Sequence, residues 1–453
     1  MKSTLALTLT LTSIISLSHA ADWANWRGPT TNGTNPDAKP PTTWSATKNI
    51  AWKTPIPGRG SSSPVILGDL IFLTTAIDTT KKAAANQRLG IRAAGLIPVQ
   101  QNDRRRRRPS GGGGGGATPK SKHQFLVLCL DRKSGDIRWQ KSVNELVPHS
   151  GHHGDHGYAS ASAIADDRHV YAHFGSRGTF CLTHAGDLVW SRTDLGQMTT
   201  RGGFGDGSSP ALHGDKLVIP WDHEGQSYIT ALNKTTGKTL WKTDRDNSSS
   251  WTTPLIVEHG GKHQVIHSGE GFARAYDLDT GKELWRADGQ TGRPCATPVT
   301  ANGVVYIGSG FRGSFFGAYK LDGASGDITD TDNQLWTITS GTPDVPSPVL
   351  SDGRLYFHSG KDGILSCVDA KTGKPHYTRE RIEGLSRVYA SPVAANGHVY
   401  LTGRDGTTVV IKDADKLKIV TTHNLGEPVD ATPALGGNQL FIRSASHLYC
   451  ISK

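Results

Sequence analysis

The chain has 453 residues, 20% of them charged and 35% hydrophobic, with Gly 54, Pro 23, Cys 5 and Met 2. That is enough apolar material for a large core, and it excludes a globally disordered chain. The net charge of +10 suggests nucleic acid only until it is located: residues 79–124 hold eleven cations against one anion, so the rest sums to zero and nucleic acid is not the expected ligand of the folded body.

The first twenty residues read as a secretory signal. Lys2 supplies the positive start, Leu5 to Leu17 a short apolar run, and Ser18-His19-Ala20 the small residues that place cleavage after Ala20. The mature protein, residues 21–453, is expected to be periplasmic or secreted. Beyond the N-terminus no apolar run reaches the ~18 residues of a membrane span.

Residues 79–124 break the pattern of everything else. Arg104, Arg105, Arg106, Arg107 and Arg108 are followed by Pro109, Ser110 and six glycines. Such a stretch cannot bury enough apolar surface to order itself. It reads as a basic, Gly/Arg-rich disordered insertion in the first repeat. It is either an electrostatic contact to an anionic surface or a tolerated surface loop.

The rest is a repeat. A Ser/Thr-Pro step opens a short strand at Pro64, Pro210, Pro254, Pro298, Pro348, Pro392 and Pro433, with Ala163 in the same place after Ser162. The anchors are 41–50 residues apart, except for the first interval, which holds the insertion; that is the span of one four-stranded propeller blade. Each anchor is followed by a Gly-or-Asp turn, a second strand, and a third strand ending in a turn such as Asp277-Leu278-Asp279-Thr280-Gly281-Lys282. Asp caps its own turn and Gly accepts positive φ, so this is a hairpin. The Trp that follows (Trp139, Trp190, Trp241, Trp285, Trp336) then lies on an outer strand, placed to pack on the neighbouring blade.

Eight anchors predict an all-β, eight-bladed propeller of four-stranded antiparallel blades. The last repeat ends at Lys453 without its outer strand, and Asn49-Ile50-Ala51-Trp52-Lys53 supplies one. The N-terminal strand is therefore expected to close the ring and protect its edges. Cys129, Cys181, Cys367 and Cys450 share one repeat position and read as small core residues in different blades, while Cys295 begins an inner strand.

These repeats resemble the quinoprotein-like eight-bladed propellers of the PQQ-like repeat superfamily. That group holds both pyrroloquinoline-quinone (PQQ) dehydrogenases and the non-enzymatic outer-membrane assembly lipoprotein. The opening Asp22-Trp23-Ala24-Asn25-Trp26-Arg27-Gly28-Pro29 resembles the start of exported PQQ-like proteins of the type abundant in planctomycetes. The dehydrogenases carry adjacent cysteines over the quinone and a Ca²⁺ site with a catalytic Asp; no two cysteines are adjacent here.

In a propeller the loops entering each blade share a face with the loops between its second and third strands. Two constellations fall on that face. One is the arginine set Arg177, Arg201, Arg293, Arg312, Arg387 and Arg404, which would suit carboxylate or phosphate. The other is His149, His152, His153 and His156 with Asp155, which Asp222, His223 and Glu224 of a neighbouring blade could join as metal ligands. Each has a structural counterpart: arginines paired with local aspartates, and histidines serving as polar loop residues.

The expected function is a non-catalytic exported binding or scaffold propeller for a protein partner, an anionic small molecule or a glycan. The alternative is a PQQ- or metal-dependent oxidoreductase using the same face, and hydrolase or lyase activity on a polysaccharide is a third class. No nucleophile elbow, H-E-x-x-H or P-loop is present.

Overall fold

A computed structural model describes residues 22–45, 47–80 and 115–453. The expected signal sequence, residues 1–20, and Arg104 to Arg108 lie outside the described residues. Eight antiparallel sheets form a ring of blades. Blade 1 comprises Val65–Leu67, Leu70–Asp78, His123–Asp131 and Ile137–Leu146. Blades 2 to 7 follow in chain order over residues 164–192, 211–245, 255–290, 299–338, 349–381 and 393–424. Blade 8 takes Ala434–Gly436, Gln439–Arg443 and His447–Ser452 from the C-terminus and its outer strand, Ile50–Pro55, from the N-terminus. Ring closure by the N-terminal strand is thus as expected, with Trp52 opposite Cys450. Among the described residues no helix is long and apolar enough to cross a membrane.

Second and third strands are covered on both faces, and Phe125 to Leu130 are buried without a break. The outer strand Ile50–Pro55 alternates between half-buried and exposed because one face meets water. A bulge in the outer strand aims each tryptophan inward: Ala231 pairs with Trp241 and Leu232 with Thr239, which leaves Leu240 unpaired and exposed. Each tryptophan then lies on the turn of the next blade. Trp190 Nε1 donates to the Lys234 carbonyl at 2.8 Å, and Trp241 Nε1 to that of Leu278 at 2.8 Å. The turn glycine is required there, because a Cβ on Gly237 (φ 70°) would sit 2.8 Å from the Trp190 ring. Trp285 departs from the rule: it donates to Gln264 Oε1 of its own blade, and a strand at Gly326–Asp327 from blade 5 pairs with its own strand, Glu283–Gln290.

The same register accounts for the cysteines. Cys129, Cys181, Cys367 and Cys450 stand opposite Trp139, Trp190, Tyr377 and Trp52, where blades 3, 4 and 5 have Ala231, Ala275 and Ala318; blade 7 has Val410 there, opposite the small Thr421. Only a small side chain fits under a large ring, and all four thiols are buried and free.

The Ser/Thr-Pro anchors also gain a reason. Seven of the eight residues that precede an anchor donate their amide to the hydroxyl of their counterpart one blade on. Ser63 donates to Ser162, Ser162 to Ser209, Ser209 to Thr253, Thr253 to Thr297, Thr297 to Ser347, Ser347 to Ser391 and Ser391 to Thr432, at 2.8–3.1 Å. This belt encircles the axis. At the seam between blades 8 and 1, Arg443 Nη1 donates to the Ser62 carbonyl at 3.1 Å and the Thr74 carbonyl at 2.9 Å.

The opening segment closes the channel on the side away from the loop face. Trp23 pairs with Ile66 of blade 1, and the Ala24 carbonyl accepts from Ala165 of blade 2. Asn32 Nδ2 donates to Thr300 of blade 5, Arg27 Nη2 to Pro348 ahead of blade 6, and Asn35 Nδ2 to Leu435 of blade 8. The Gly33 carbonyl accepts from Ala394 of blade 7. The segment from Trp23 to Asn35 is therefore a plug that ties six blades together.

Candidate functional site

Above the belt, on the loop face, opens a cavity of about 900 Å³. Its floor includes Trp26 from the plug and belt hydroxyls such as Ser209, Thr253 and Thr432. Its walls come from the loops that the sequence assigns to one face: Asp155, Arg293 and Arg387 from blade-entry loops, Phe311, Arg312 and Lys361 from loops between second and third strands. Phe204, Trp251 and Tyr389 add aromatic faces.

Asp155 is the hub of one side. It accepts from Tyr389 Oη at 2.7 Å and pairs with Arg387 at 3.2 Å and with Arg404. Burial opposes its ionisation, but the bonds from Tyr389 and Arg404 and the charges of Arg404 and Arg387 outweigh it, so its carboxyl is held well below the usual range. Arg404 also pairs with Asp430 at 3.1 Å. Asp430 behaves in the opposite way: burial raises its carboxyl to about 6 against the pull of Arg404, and nearby Asp155 pushes the same way as burial.

The six arginines divide. Arg293, Arg312 and Arg387 line the cavity, and Arg404 stands behind Asp155. Arg293 lies between aromatic faces, its guanidinium carbon 5.0 Å from the Phe204 ring centre and 5.6 Å from that of Phe311. Its Nε is buried without a partner, and neither Arg293 nor Arg312 forms an ion pair among the described residues. Burial and the neighbouring charges of Arg312 and Arg201 lower the Arg293 pKa. Arg177 does not reach the cavity. It is 2% exposed, bonds Asp206 at 2.5 Å and packs over Tyr158. Arg201 pairs outside the cavity with Glu224 at 3.1 Å and Glu270 at 3.2 Å.

The histidines are held by backbone. His149 Nε2 meets the Met198 carbonyl at 2.9 Å, His152 Nδ1 the His153 carbonyl at 2.8 Å, and His156 Nε2 the Phe204 carbonyl. His153 Nδ1 accepts from the Asp155 amide at 3.1 Å. Burial lowers His156 to about 4, so it is neutral at ordinary pH. Of the second acidic group, Asp222 is turned inward to Arg245 (2.8 Å) and His267 (3.2 Å), both fully buried. His223 Nδ1 accepts from the Thr199 and Gly225 amides, and Glu224 accepts from Ser249 and pairs with Arg201. The metal constellation read from sequence is thus not assembled. Among the described residues no group of three or more His, Cys, Asp or Glu is placed to hold a metal ion.

Sequence reasoning missed the belt, the plug and Asp430. The belt had a signal, because a hydroxyl residue precedes all eight anchors, from Ser63 to Thr432. Arg27 and Arg443 sit outside the loop face, where no search for ligand residues would look.

The family described as outer membrane protein assembly factor BamB matches residues 225–453. No curated protein matches the chain. BamB from Moraxella catarrhalis is 12% identical, with 88% of this chain and 96% of that chain covered at a TM-score of 0.55. The quinohemoprotein alcohol dehydrogenase from Comamonas testosteroni is 11% identical, with 96% and 80% covered at a TM-score of 0.62. The computationally designed Ika8 protein is 14% identical, with 75% and 92% covered at a TM-score of 0.52. At these identities the likeness is one of fold. With its repeats, its ring closure and a family match over its C-terminal half, the chain belongs to the PQQ-like propeller family of the outer membrane protein assembly factor BamB.

Proposed function

We propose that this propeller is an exported binding protein whose axial cavity takes an anionic ligand of oligosaccharide size. The observation that carries the reading is Arg293, a cavity guanidinium sandwiched by Phe204 and Phe311, with a buried Nε that has no partner. An unpaired, partly desolvated guanidinium is a costly feature unless a ligand supplies its acceptor. Arg312 beside it lacks an ion pair as well, while the carboxylates Asp155 and Asp430 are both engaged by Arg404. The volume is in the range that encloses a drug-sized or short oligosaccharide ligand, and Trp26, Trp251 and Tyr389 offer faces for sugar rings.

Two findings weigh on the other readings. A PQQ centre of the dehydrogenase kind needs a cation site and paired cysteines. The cationic side of the cavity suits a polycarboxylate, but the described residues offer no metal-binding cluster, and the cavity's cysteine, Cys295, stands alone. The donor set does not fit that centre, and no catalytic step is derived through it. The family's description as an assembly factor supports a protein partner at the loop face; the unpaired guanidiniums favour a small anion within it.

The test is a thermal-shift panel on the mature protein with oligogalacturonate, a chondroitin sulfate disaccharide, maltotriose, and PQQ with and without Ca²⁺. Stabilisation by the acidic sugars and none by maltotriose is the expected result. A flat response to both acidic sugars would overturn it.

A further inference from the structure

The belt and its surroundings carry an electrostatic imbalance. Arg27 and Arg443 are 3% and 2% exposed, and among the described residues neither has a carboxylate partner. Arg27 donates to the carbonyls of Pro348 and Pro392, the residues that directly follow the belt's Ser347 and Ser391. Its Nε has no partner at all. Among the described residues Arg443 donates only to Ser62 and to the Thr74 carbonyl, at the belt's seam. Burial alone lowers both guanidiniums, to about 9, which leaves them charged at neutral pH. Two buried cations without a counter-ion are expensive, and neutral carbonyls compensate them only in part.

The belt points to what would compensate them. Seven of its hydroxyls, Ser162 round to Thr432, already accept an amide N–H. Among the described residues none of these hydroxyls donates to a protein acceptor, so their O–H groups remain as donors. Ser63, Ser162, Ser209, Thr253, Ser391 and Thr432 are all less than a tenth exposed and border the cavity. Arg293 lines the cavity, while Arg27 and Arg443 stand buried behind the belt, against the carbonyls that follow Ser347 and Ser391 and against Ser62; donors backed by these charges repel cations and attract oxygen-rich anions.

We propose that this belt, with Arg27, Arg443 and Arg293 around it, binds a tetrahedral oxyanion, sulfate or phosphate, either free or as the terminal group of a larger ligand. This rests on the reading of the cavity as an anion site and names the chemical group that reaches its floor. The anion's oxygens accept from hydroxyls on several blades at once, which no carboxylate or halide matches in number of acceptors.

The experiment titrates the mature protein calorimetrically with inorganic sulfate, inorganic phosphate, galactose 6-sulfate and, as a control, acetate. Saturable binding of sulfate or phosphate is expected, with acetate at least tenfold weaker. Tighter binding of galactose 6-sulfate than of sulfate identifies the terminal group of a larger ligand, and the reverse identifies the free ion. Arg27→Gln and Thr432→Val should each weaken binding about tenfold or more, and Thr432→Ser should restore it. Should those variants fail to fold, a crystal structure of the unaltered protein in ammonium sulfate decides, with sulfate expected on the axis at the belt. Water alone at the belt, or sulfate binding insensitive to Arg27→Gln, would overturn the proposal. If the acidic sugars still bind in an Arg293-dependent way, the belt proposal alone has failed; if nothing anionic binds, both have.

Discussion

Asp155 and Tyr389 meet across the cavity mouth, the phenol donating to the carboxylate at 2.7 Å although the two are 234 residues apart. One belongs to the loop entering blade 2, the other to the loop entering blade 7. The histidine-rich loop thus reaches over blades 1 and 8 and is fastened on the far side by Tyr389, Arg387 and Arg404. Asp155→Asn should lower stability by about 1–3 kcal/mol at pH 7, since it leaves Arg404 and Tyr389 short of a charged acceptor. The native carboxyl is held below its unfolded value, so its contribution is present above about pH 4 and is lost as pH falls further. Thermal unfolding of both proteins from pH 7 to pH 3 should show the gap closing.

Asp430 gives the opposite sign. Its folded value of about 6 lies above the unfolded one, so the ionised form burdens the fold above pH 6 and the burden is absent below about pH 4. Asp430→Asn is therefore expected to raise the melting temperature at pH 7.5, with the advantage shrinking as pH falls from 6 to 4. Equal melting temperatures at pH 7.5 would contradict the assignment.

Asp222 is a structural residue. It holds Arg245 through two oxygens at 2.8 and 3.1 Å and His267 at 3.2 Å, joining blades 3 and 4. Removing one partner strands a buried charge, so Asp222→Ala should cost about 3–5 kcal/mol. Adding zinc should shift the melting temperature of neither the variant nor the unaltered protein, because Arg245 and His267 already engage Asp222.

Blade docking separates from backbone strain in two glycines. Gly237 and Gly214 both have positive φ, but a Cβ would strike Trp190 at Gly237 and meet nothing within 4 Å at Gly214. Gly214→Ala should cost about 1 kcal/mol from strain alone. Gly237→Ala should cost at least about 1 kcal/mol more, with a blue-shifted or red-shifted tryptophan emission that Gly214→Ala does not show.

The architecture was legible because the constraint repeats. A hydroxyl before each anchor, an Asx-Gly turn and an outer Trp recur in most blades, and each does the same physical work at each occurrence. The ring closure was legible for a related reason: one strand was missing at Lys453 and one was spare at Trp52. The site was legible only as a face. Arg293 and Arg312 line the cavity, but Arg177, in the same kind of loop as Arg312, turns instead to Asp206. Nothing in a repeat pattern says which arginine finds a local carboxylate. Asp155 pairing with Tyr389 and Arg404 depends on how far one loop reaches across the ring, which spacing does not encode.

The most direct measurement is calorimetric titration of the mature protein and its Arg293→Gln, Arg312→Gln double variant with a trigalacturonate. Among the described residues these two side chains have no ion-pair partner to lose, so the variant should fold as the unaltered protein does. The account predicts saturable binding to the unaltered protein, weakened at least about tenfold in the variant, since charged hydrogen bonds contribute about 1.5–3 kcal/mol each. Equal affinity in the two proteins, or no binding of any acidic sugar, would contradict the assignment of the axial cavity as an anion-binding site.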